Sequence, residues 1–591
     1  MLHDDVARIL HIDLTSGKTH VEERADLFRE YMGGTGVAMR LLDELVHDDR
    51  DALDPAQPVI MAIGPLTTIF PVVTKAVATF RSPLTGEYGE SHAGGQFASA
   101  LRYAGYDALV ITGAAKRLVY LVIDGEKVEI RPADALAGMD VIKTGSVIRD
   151  RIQGAGHRSI IRIGPAGEVR PGRASIRYAN VNVDTFRHFG RLGLGAVLGS
   201  KNLKAIAVVG QQHLDLPEDS RLYKKTYAEV YDRVLHTDAM KKYHELGTPA
   251  NVLPLSELGA LPTYNVRQGY FGEADQISGE AFAENELITK RACAGCQIGC
   301  IHVALYRRPF APGWEYESTL VAYDHELVYA VGSLLGVGDR PDVLRLIEDI
   351  DKAGMDTISC GTALAWATEA MERGIISPEQ FDGIDLRWGD AERYAQGITA
   401  IVRGEAKVAR WLGQGEVQAA HHYGAPEYVA AVGGQGIAGY WTGYAHVLGH
   451  LLGARHSHLD NGGYALDQKL EPYTDETIID ALIADEADRI VQTSVAICLF
   501  ARGVYDLETI SRALGSVGIQ RSPEQLQAMG QRIYWERVRL RERLGFQARL
   551  DEIPRRFFET PTPRGQLDPQ RVAHMLEIYQ ARREQSVPQA Q

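Results

Sequence analysis

Arg291-Ala292-Cys293-Ala294-Gly295-Cys296-Gln297-Ile298-Gly299-Cys300 is the stretch from which the rest of the chain is best read. It sets three thiols in a Cys-x2-Cys-x3-Cys array, and the whole sequence has only five cysteines. Thiolates are the natural ligands of soft metals and of iron–sulfur clusters. Gly295 and Gly299 let the backbone curl closely around such a group. A cubane takes about four ligands, so one more must come from outside the array. Cys360 and Cys498 are the candidates, with His302 behind them. Buried, unligated cysteines would not need this clustering. A structural zinc site favours two Cys-x2-Cys pairs, and no second pair is present. The order also differs from the Cys-x3-Cys-x2-Cys array of radical S-adenosylmethionine enzymes. The array therefore reads as three ligands of an iron–sulfur cluster.

Around it, 591 residues exceed a single hydrophobic core, so about two to four domains are expected. Hydrophobic content of 45% and charged content of 24% are those of a globular protein. Lys+Arg 63 against Asp+Glu 77, a net charge of −14, argues against nucleic-acid or acidic-membrane binding. Met1-Leu2-His3-Asp4-Asp5 lacks the basic and apolar run of a signal peptide, and no apolar stretch is long enough to insert in a bilayer. Few cysteines, most of them placed as ligands, fit a reducing cytoplasm.

The predicted fold class is α+β: a β-rich N-terminal domain over residues 1–210, then two mainly helical domains over 211–423 and 424–591. Strands are predicted at Val59–Ile63, Asp107–Gly113 and Lys204–Gly210, with a hairpin from Leu118–Ile123 through Asp124-Gly125 to Lys127–Ile130. Arg221 to Leu246 reads as a helix stopped by Gly247, and Pro341 to Arg373 as helix broken near Gly354 and stopped at Gly374. Residues 424–467, rich in glycine and histidine, read more as loop; residues 475–545 return to helical periodicity. Gly434-Gln435-Gly436-Ile437-Ala438-Gly439 satisfies a dinucleotide pattern, but no helix follows to aim a dipole at a pyrophosphate. In Gly190-Arg191-Leu192-Gly193-Leu194-Gly195 the glycines read either as backbone lining a phosphate-bearing ligand, with Arg187 and Arg191 as charge partners, or as a plain turn.

Several ordered stretches carry a resemblance. They are Gly33-Gly34-Thr35-Gly36, Gly64-Pro65-Leu66-Thr67, Ser82-Pro83-Leu84-Thr85-Gly86, Gly94-Gly95 and Ala104-Gly105-Tyr106-Asp107, then Ile163–Glu168 and Gly195–Ala205. The cysteine array, Glu315-Tyr316-Glu317-Ser318 and Cys498-Leu499-Phe500 complete the set. Over nearly its whole length the chain resembles the aldehyde:ferredoxin oxidoreductase family of tungsten- or molybdenum-pterin enzymes. The resemblance implies that Cys293, Cys296, Cys300 and Cys498 hold a 4Fe–4S cluster, which leaves Cys360 an ordinary buried cysteine. It implies a metal held by the dithiolenes of two pterins, not by side chains. Asp351-Lys352-Ala353-Gly354-Met355-Asp356 matches the family's first Asp-x-x-Gly-Leu pterin motif, with methionine for leucine. The second copy falls on Thr493-Ser494-Val495-Ala496-Ile497, where Asp and Gly are missing and Thr493 is the remaining acceptor. The resemblance also implies that Gly94, Gly95 and Gly190 line the cofactor. Lys75 stands where an arginine bridges cluster and pterin, with Arg187 as the second base. The carbonyls that bind a magnesium ion between the pterin phosphates fall on His92 and His188.

The resemblance assigns catalysis to Glu317, for proton transfer and activation of water, with burial expected to raise its pKa toward neutrality. His456 is assigned as hydrogen-bond donor to the substrate oxygen, with His458 as the alternative. Arg455 implies either a negatively charged substrate or a salt bridge to Asp460. The implied reaction oxidises an aldehyde to a carboxylic acid and passes electrons singly through the cluster to ferredoxin or an iron–sulfur subunit; the lifestyle implied is anaerobic, and a homodimer is a family expectation. The competing readings are a benzoyl-coenzyme A reductase-like tungsten enzyme and a non-catalytic iron–sulfur or zinc protein.

Overall fold

A computed structural model describes residues 6–152, 155–170, 175–214, 220–311, 313, 315–469 and 474–586. The chain divides into two compact units that interleave in sequence. The first takes residues up to Met240, Ala292–Ile298 and Ile483–Phe546; the second takes Lys241–Arg291, Gly299–Leu482 and the residues from Gln547 on. The α+β class holds: mixed sheets in the N-terminal region, then mainly helix.

In the first unit two six-stranded sheets form. One orders β1 (Ala7–Asp13), β2 (Lys18–Arg24), β3 (Val59–Ala62), β4 (Ala76–Arg81), β5 (Tyr88–Ala93) and β6 (Ala108–Thr112) as β2-β1-β6-β3-β4-β5. The other orders β7 (Val119–Asp124), β8 (Lys127–Pro132), β9 (His157–Arg162), β10 (Val181–Val183), β11 (Arg187–Phe189) and β12 (Leu203–Gly210) as β11-β10-β9-β12-β7-β8. The period-2 rule sorts each strand between two cores. Val119, Leu121 and Ile123 join the main core with residues of both sheets, whereas Tyr120 and Val122 face a second core beneath helix Val141–Arg151. The β7–β8 turn is Gly125-Glu126, because Asp124 pairs with Lys127, one residue beyond the expected Asp124-Gly125. Gly125 takes φ +56° at the first turn position, as tight hairpins require.

The family-like glycines mostly meet protein. A Cβ at Gly34 would lie 2.1 Å from the Thr493 carbonyl, at Gly64 2.2 Å from Val495 C, and at Gly199 1.7 Å from the Gly167 carbonyl. Those runs are close backbone packing, not ligand lining. The lysines of Ser200-Lys201-Asn202-Leu203-Lys204 are equally structural. Lys201 Nζ donates to the Pro55 and Gln57 carbonyls, both at 2.6 Å, and Lys204 Nζ to Glu168 at 2.6 Å.

In the second unit, helix Thr357–Glu372 is the centre. It is buried on every face from Thr357 to Ala370, the pattern of a core helix. Gly361 lets helix His325–Val331 approach: a Cβ there would lie 2.3 Å from the Ala330 carbonyl. Within the stretch 211–423, expected to be mainly helical, the residues on either side of the cysteine array form a three-stranded sheet of β13 (Leu287–Arg291), β14 (Ile301–Ala311) and β15 (Glu315–Tyr323). Residues 424–467 also hold more helix than expected, Tyr444–Leu452 and Gly463–Gln468. The dinucleotide-like glycines make a hairpin, Ala431-Val432 against Gln435-Gly436, turned by Gly433 and Gly434 at φ +61° and +79°. The expected helix Arg221–Leu246 is two, Ser220–Leu235 and Asp238–Glu245, with Thr237 Oγ1 accepting from Met240 N at the break.

Candidate functional site

The cysteine centre of the first unit is tied together by backbone. Val72 N donates to the Gly295 carbonyl (3.1 Å) and Val72 O accepts from Cys498 N (3.1 Å), so one residue joins the array to the distant cysteine. Val72 holds φ +62°, a strained value for a β-branched side chain that its two hydrogen bonds stabilise. Val73 bridges Ile497, Lys75 N donates to the Ala496 carbonyl at 3.1 Å, and Ala294 N donates to the Gly95 carbonyl at 3.0 Å. The segments carrying Cys293, Cys296 and Cys498 are therefore tied to one another through main chain, with Cys300 two residues beyond the segment belonging to this unit. Cys360 is fully buried in helix Thr357–Glu372, where burial pushes its thiol well up. Among the described residues no three His, Cys, Asp or Glu side chains close on one metal ion; a cubane spaces its thiolates more widely than one tetrahedral zinc does.

Gly94-Gly95 is the meeting point of the expected basic residues. A Cβ at 94 would lie 2.5 Å from Cys293 Sγ and 3.6 Å from Lys75 Nζ; one at 95 would lie 3.8 Å from Arg187 Cβ. A Cβ at Gly190 would meet nothing within 4 Å. His92 lies on edge strand β5 and His188 on edge strand β11, and these two edges pack together. Edge strands leave part of their carbonyls outside the ladder, which is what an ion shared by the two histidine backbones needs. Burial, with the Arg187 charge, pushes the His188 imidazole down to about 3. Asn182, opposite His188 in register, keeps a buried Oδ1 with no partner among the described residues. His92 Nε2 meets Glu90 at 2.6 Å, and Glu90 also receives Tyr88 OH (2.5 Å), Thr35 Oγ1 (3.3 Å) and Arg537 (3.2 Å), whose other arm holds Glu486 at 2.5 Å. Thr493 turns its hydroxyl to its own helix, donating to Arg489 O at 2.9 Å, and Ile497 N donates to Gln492 O at 2.9 Å.

In the second unit, the first pterin motif is also a helix junction. Gly354 ends helix Arg340–Ala353 at φ +76° and Met355 is fully buried. Asp356 caps the next helix, accepting from Ile358 N (3.1 Å) and Ser359 Oγ (2.5 Å). Asp351 stands in the last turn before Gly354.

Glu317 is not buried as its expected role requires. It lies on β15, its side chain 49% exposed and paired with Arg308 across the hairpin. Both faces of this half of β15 are open to solvent, since Glu315, Tyr316, Glu317 and Ser318 are all exposed. Nine residues later, Glu326 occupies the first turn of helix His325–Val331, where the helix dipole favours an anion. Its side chain is 19% exposed and lies 3.1 Å from Nε2 of His458, itself 8% exposed. Burial alone would raise the Glu326 carboxyl; the hydrogen bond and charge of His458, then His325 and the helix amides, carry it down to about 2.

Around this pair Tyr440 packs its ring 4.8 Å from His458, 4.9 Å from His325 and 4.7 Å from Tyr464, with its hydroxyl 3.5 Å from Glu326 Oε1. His446 is buried and keeps Nε2 without a partner among the described residues; burial, then His458, pushes its imidazole down to about 3. Gln435 is fully buried with neither amide atom paired among them. Such atoms cost about 1–3 kcal/mol each unless a ligand or water meets them. His456 is buried, with its ring 2.5 Å from the place a Cβ at Gly433 would take and its Nδ1 3.0 Å from the His450 carbonyl. Arg455 resolves to the salt bridge, with N and Nε on Asp460 at 2.8 and 2.5 Å. Glu326, Tyr440, His446 and Gln435 were not singled out from the sequence as site residues. The signal available was Asp324-His325-Glu326, an acidic N-cap pattern opening an apolar helix.

Residues 9–210 match the N-terminal domain of the aldehyde ferredoxin oxidoreductase family, and residues 225–586 match its domains 2 and 3. The tungsten-containing aldehyde ferredoxin oxidoreductase of Pyrococcus furiosus is 31% identical over 593 residues, covering 95% of this chain and 93% of the relative. That of Thermococcus kodakarensis is 30% identical over 591 residues, with coverage of 95% and 93%. An aliphatic sulfonate oxidoreductase, WOR-like subunit, of Pyrococcus furiosus is 28% identical over 465 residues, 76% of this chain and 70% of that one. Among solved structures, the active site complex BamBC of benzoyl coenzyme A reductase with 1,5 dienoyl-CoA superimposes with a TM-score of 0.81 at 20% identity, covering 98% of this chain and 94% of that chain. At that identity the likeness is one of fold.

Proposed function

The chain belongs to the aldehyde ferredoxin oxidoreductase family, a family of oxidoreductases, and from that premise we propose that it oxidises an aldehyde to a carboxylic acid. The balanced reaction takes one aldehyde and one water to one acid, two protons and two electrons. The observation that carries the reading is the Glu326–His458 contact at 3.1 Å, enclosed by histidines and tyrosines. Cys293, Cys296, Cys300 and Cys498 would hold a 4Fe–4S cluster, supported by the backbone ties through Val72 and the Gly94 cradle. Lys75, Arg187, Gly190 and the His92 and His188 carbonyls would hold the anionic end of a bis-pterin group and its magnesium ion, with Asp351 and Gly354–Asp356 at a pterin ring. A tungsten- or molybdenum-pterin group held there would supply the acceptor for the electron pair, and a cluster on the four cysteines would supply a one-electron outlet toward ferredoxin or an iron–sulfur subunit.

The chain's own residues handle protons and orientation. His458 Nε2 turns to the substrate carbonyl oxygen and polarises it. An aldehyde entering between His458 and Glu326 removes the contact that keeps the Glu326 carboxyl acidic, and burial then raises it toward the range of a general base. In that state Glu326 takes a proton from the attacking water. Tyr440 holds the carboxylate's orientation, and Gln435 and His446 offer unpaired polar atoms to the substrate's remaining groups.

The test is anaerobic purification, metal and pterin analysis, then aldehyde-dependent viologen reduction by Glu326→Gln and Glu317→Gln. Loss in the first with retention in the second is expected. Retained activity in Glu326→Gln removes the pair from the mechanism, and a chain holding zinc without pterin removes the reaction.

A further inference from the structure

Behind the Glu326–His458 pair, the second unit holds a series of contacts that the reaction above does not use. The turn Thr248–Asn251 packs against the start of helix His325–Val331. Thr248 Oγ1 accepts from His325 N at 2.8 Å, satisfying an open amide in the first turn of the helix that carries Glu326. At the end of the same turn, Asn251 reaches Tyr440. Its Nδ2 donates to the Tyr440 hydroxyl at 3.5 Å, and its Oδ1 accepts from Lys242 Nζ at 2.5 Å. Tyr440 in turn donates to Glu326 Oε1 at 3.5 Å. Lys242 is exposed and Tyr440 is buried. The series therefore runs from a surface ammonium to an enclosed carboxylate.

Its direction is set at the outer end. An ammonium has protons to give and no lone pair, so the amide atom facing Lys242 must be Oδ1. That leaves Nδ2 for the phenol oxygen, and the phenol proton for Glu326. A reversed amide would present its oxygen to the phenol and draw the proton off the carboxylate. Bonds from a charged donor are the strong ones in such a series, and successive bonds polarise one another. The Lys242–Asn251 bond is short, whereas both bonds of Tyr440 are long. The phenol is thus the member whose proton is easily redirected. In the resting pocket His458 is the nearer neighbour of the same Glu326 oxygen, at 3.1 Å. Once substrate has taken His458 away, the carboxylate keeps the Tyr440 proton.

We propose that Lys242 and Asn251 are positioning residues for the proton-transfer step: acting through Tyr440, they keep Glu326 oriented and ionised once substrate is bound. This rests on Glu326 being the base, as read above. A hydrogen bond to the charged form favours that form, so it offsets the rise that burial causes when His458 leaves. The base then stays ionised at a pH where burial alone would protonate it. No proton passes along the series, because the amide in its middle does not carry one. The other titratable groups facing it are His325, His446, His458, Tyr243 and Tyr464, with Glu280 facing Lys242. All of them are present in each variant below, so a difference between variants reads the series itself.

The experiment uses the holoenzyme, checked for iron, and follows aldehyde-dependent viologen reduction across pH. The acid limb of kcat reports the base in the substrate complex, and that of kcat/KM the base in the free enzyme. Lys242→Met should move the kcat limb up by about one pH unit, an acid-side loss of about tenfold. The kcat/KM limb should move much less, because His458 still contacts Glu326 there. Lys242→Arg, which keeps a charged donor, should keep the profile. Asn251→Asp, nearly isosteric, should move the kcat limb at least as far, since a carboxylate accepts only and takes the phenol proton. In a Tyr440→Phe background Lys242→Met should add nothing. Profiles of Lys242→Met and Asn251→Asp that superimpose on that of the unsubstituted enzyme overturn the inference. So does a full Lys242→Met shift in the Tyr440→Phe background, which makes the lysine a through-space charge. An active Glu326→Gln overturns the base assignment beneath it, whereas an inactive Glu326→Gln beside an unaltered Lys242→Met profile overturns this inference alone.

Discussion

The cysteine centre of the first unit and the histidine pocket of the second are built in different ways. The first is assembled by main chain: Val72, Gly295, Ala496 and Gly95 exchange backbone hydrogen bonds, and glycine at 94 makes room for Cys293 and Lys75. The second is assembled by side chains, with Glu326, His458, Tyr440 and His325 in mutual contact. A backbone scaffold tolerates a change of side chain. Lys75 and Thr493 enter these ties through their main-chain N and O, which any side chain but proline at 75 would keep. A side-chain cluster has no such slack, because each group is oriented and charged by its neighbours.

Glu326→Gln is the hardest test of that contrast. Loss of a positioned proton-transfer group should cost about 10²–10⁴ in kcat, read by viologen reduction at saturating aldehyde, with the iron content unchanged. An active Glu326→Gln would break the comparison, since the pocket would then be packing only. Arg537→Ala attacks the first unit from behind. It strands Glu90 and Glu486, 1% and 4% exposed, without their shared cation. The expected destabilisation is about 3–5 kcal/mol, read by denaturant unfolding. A loss below about 1 kcal/mol would mean that β5, and the His92–Gly95 segment it carries, does not depend on this network.

Acid should strike both units, because burial holds His188 in the first and His446 in the second each near 3. The folded chain holds His446 near 3, against 6.5 for the free side chain. Between those values the unfolded chain binds a proton that the folded chain lacks. The stability this group contributes is therefore complete above pH 6.5 and is lost as pH falls, by about 1.4 kcal/mol per unit. Unfolding curves between pH 7.5 and 5.5 should show that slope, and His446→Gln should reduce it. An equal slope in both proteins would assign the acid sensitivity elsewhere. The smallest effect belongs to Glu317→Gln. An exposed ion pair with Arg308 contributes about 0–1 kcal/mol, so stability and kcat should both stay close to those of the unsubstituted chain.

The two carboxylates also show how far residue patterns reach. Glu317 sits in a run resembling a family motif, yet it lies in the half of β15 whose residues 315–318 are all exposed. Glu326 has no motif around it, and a helix N-terminus buries it against a histidine more than a hundred residues away in sequence. His456 and His458 are equally plausible as text; the left-handed turn at His456, φ +47°, sends that ring against Gly433 and leaves His458 to meet Glu326. The glycine runs that carry the resemblance show the same limit. A glycine marks a close approach, and at Gly34, Gly64 and Gly199 what approaches is another stretch of main chain.

What residue order alone determined were properties written in short-range spacing: three thiols within one turn of chain, the strand and hairpin alternation of β3, β6, β7 and β12, the glycine stops at 247, 354 and 374, and the family to which these add up. Such features depend on a residue and its near neighbours, so they survive without coordinates. Which carboxylate is buried and which histidine it meets depended on segments far apart in sequence packing together. Burial and charge are properties of that packing, and only the tertiary structure could decide them.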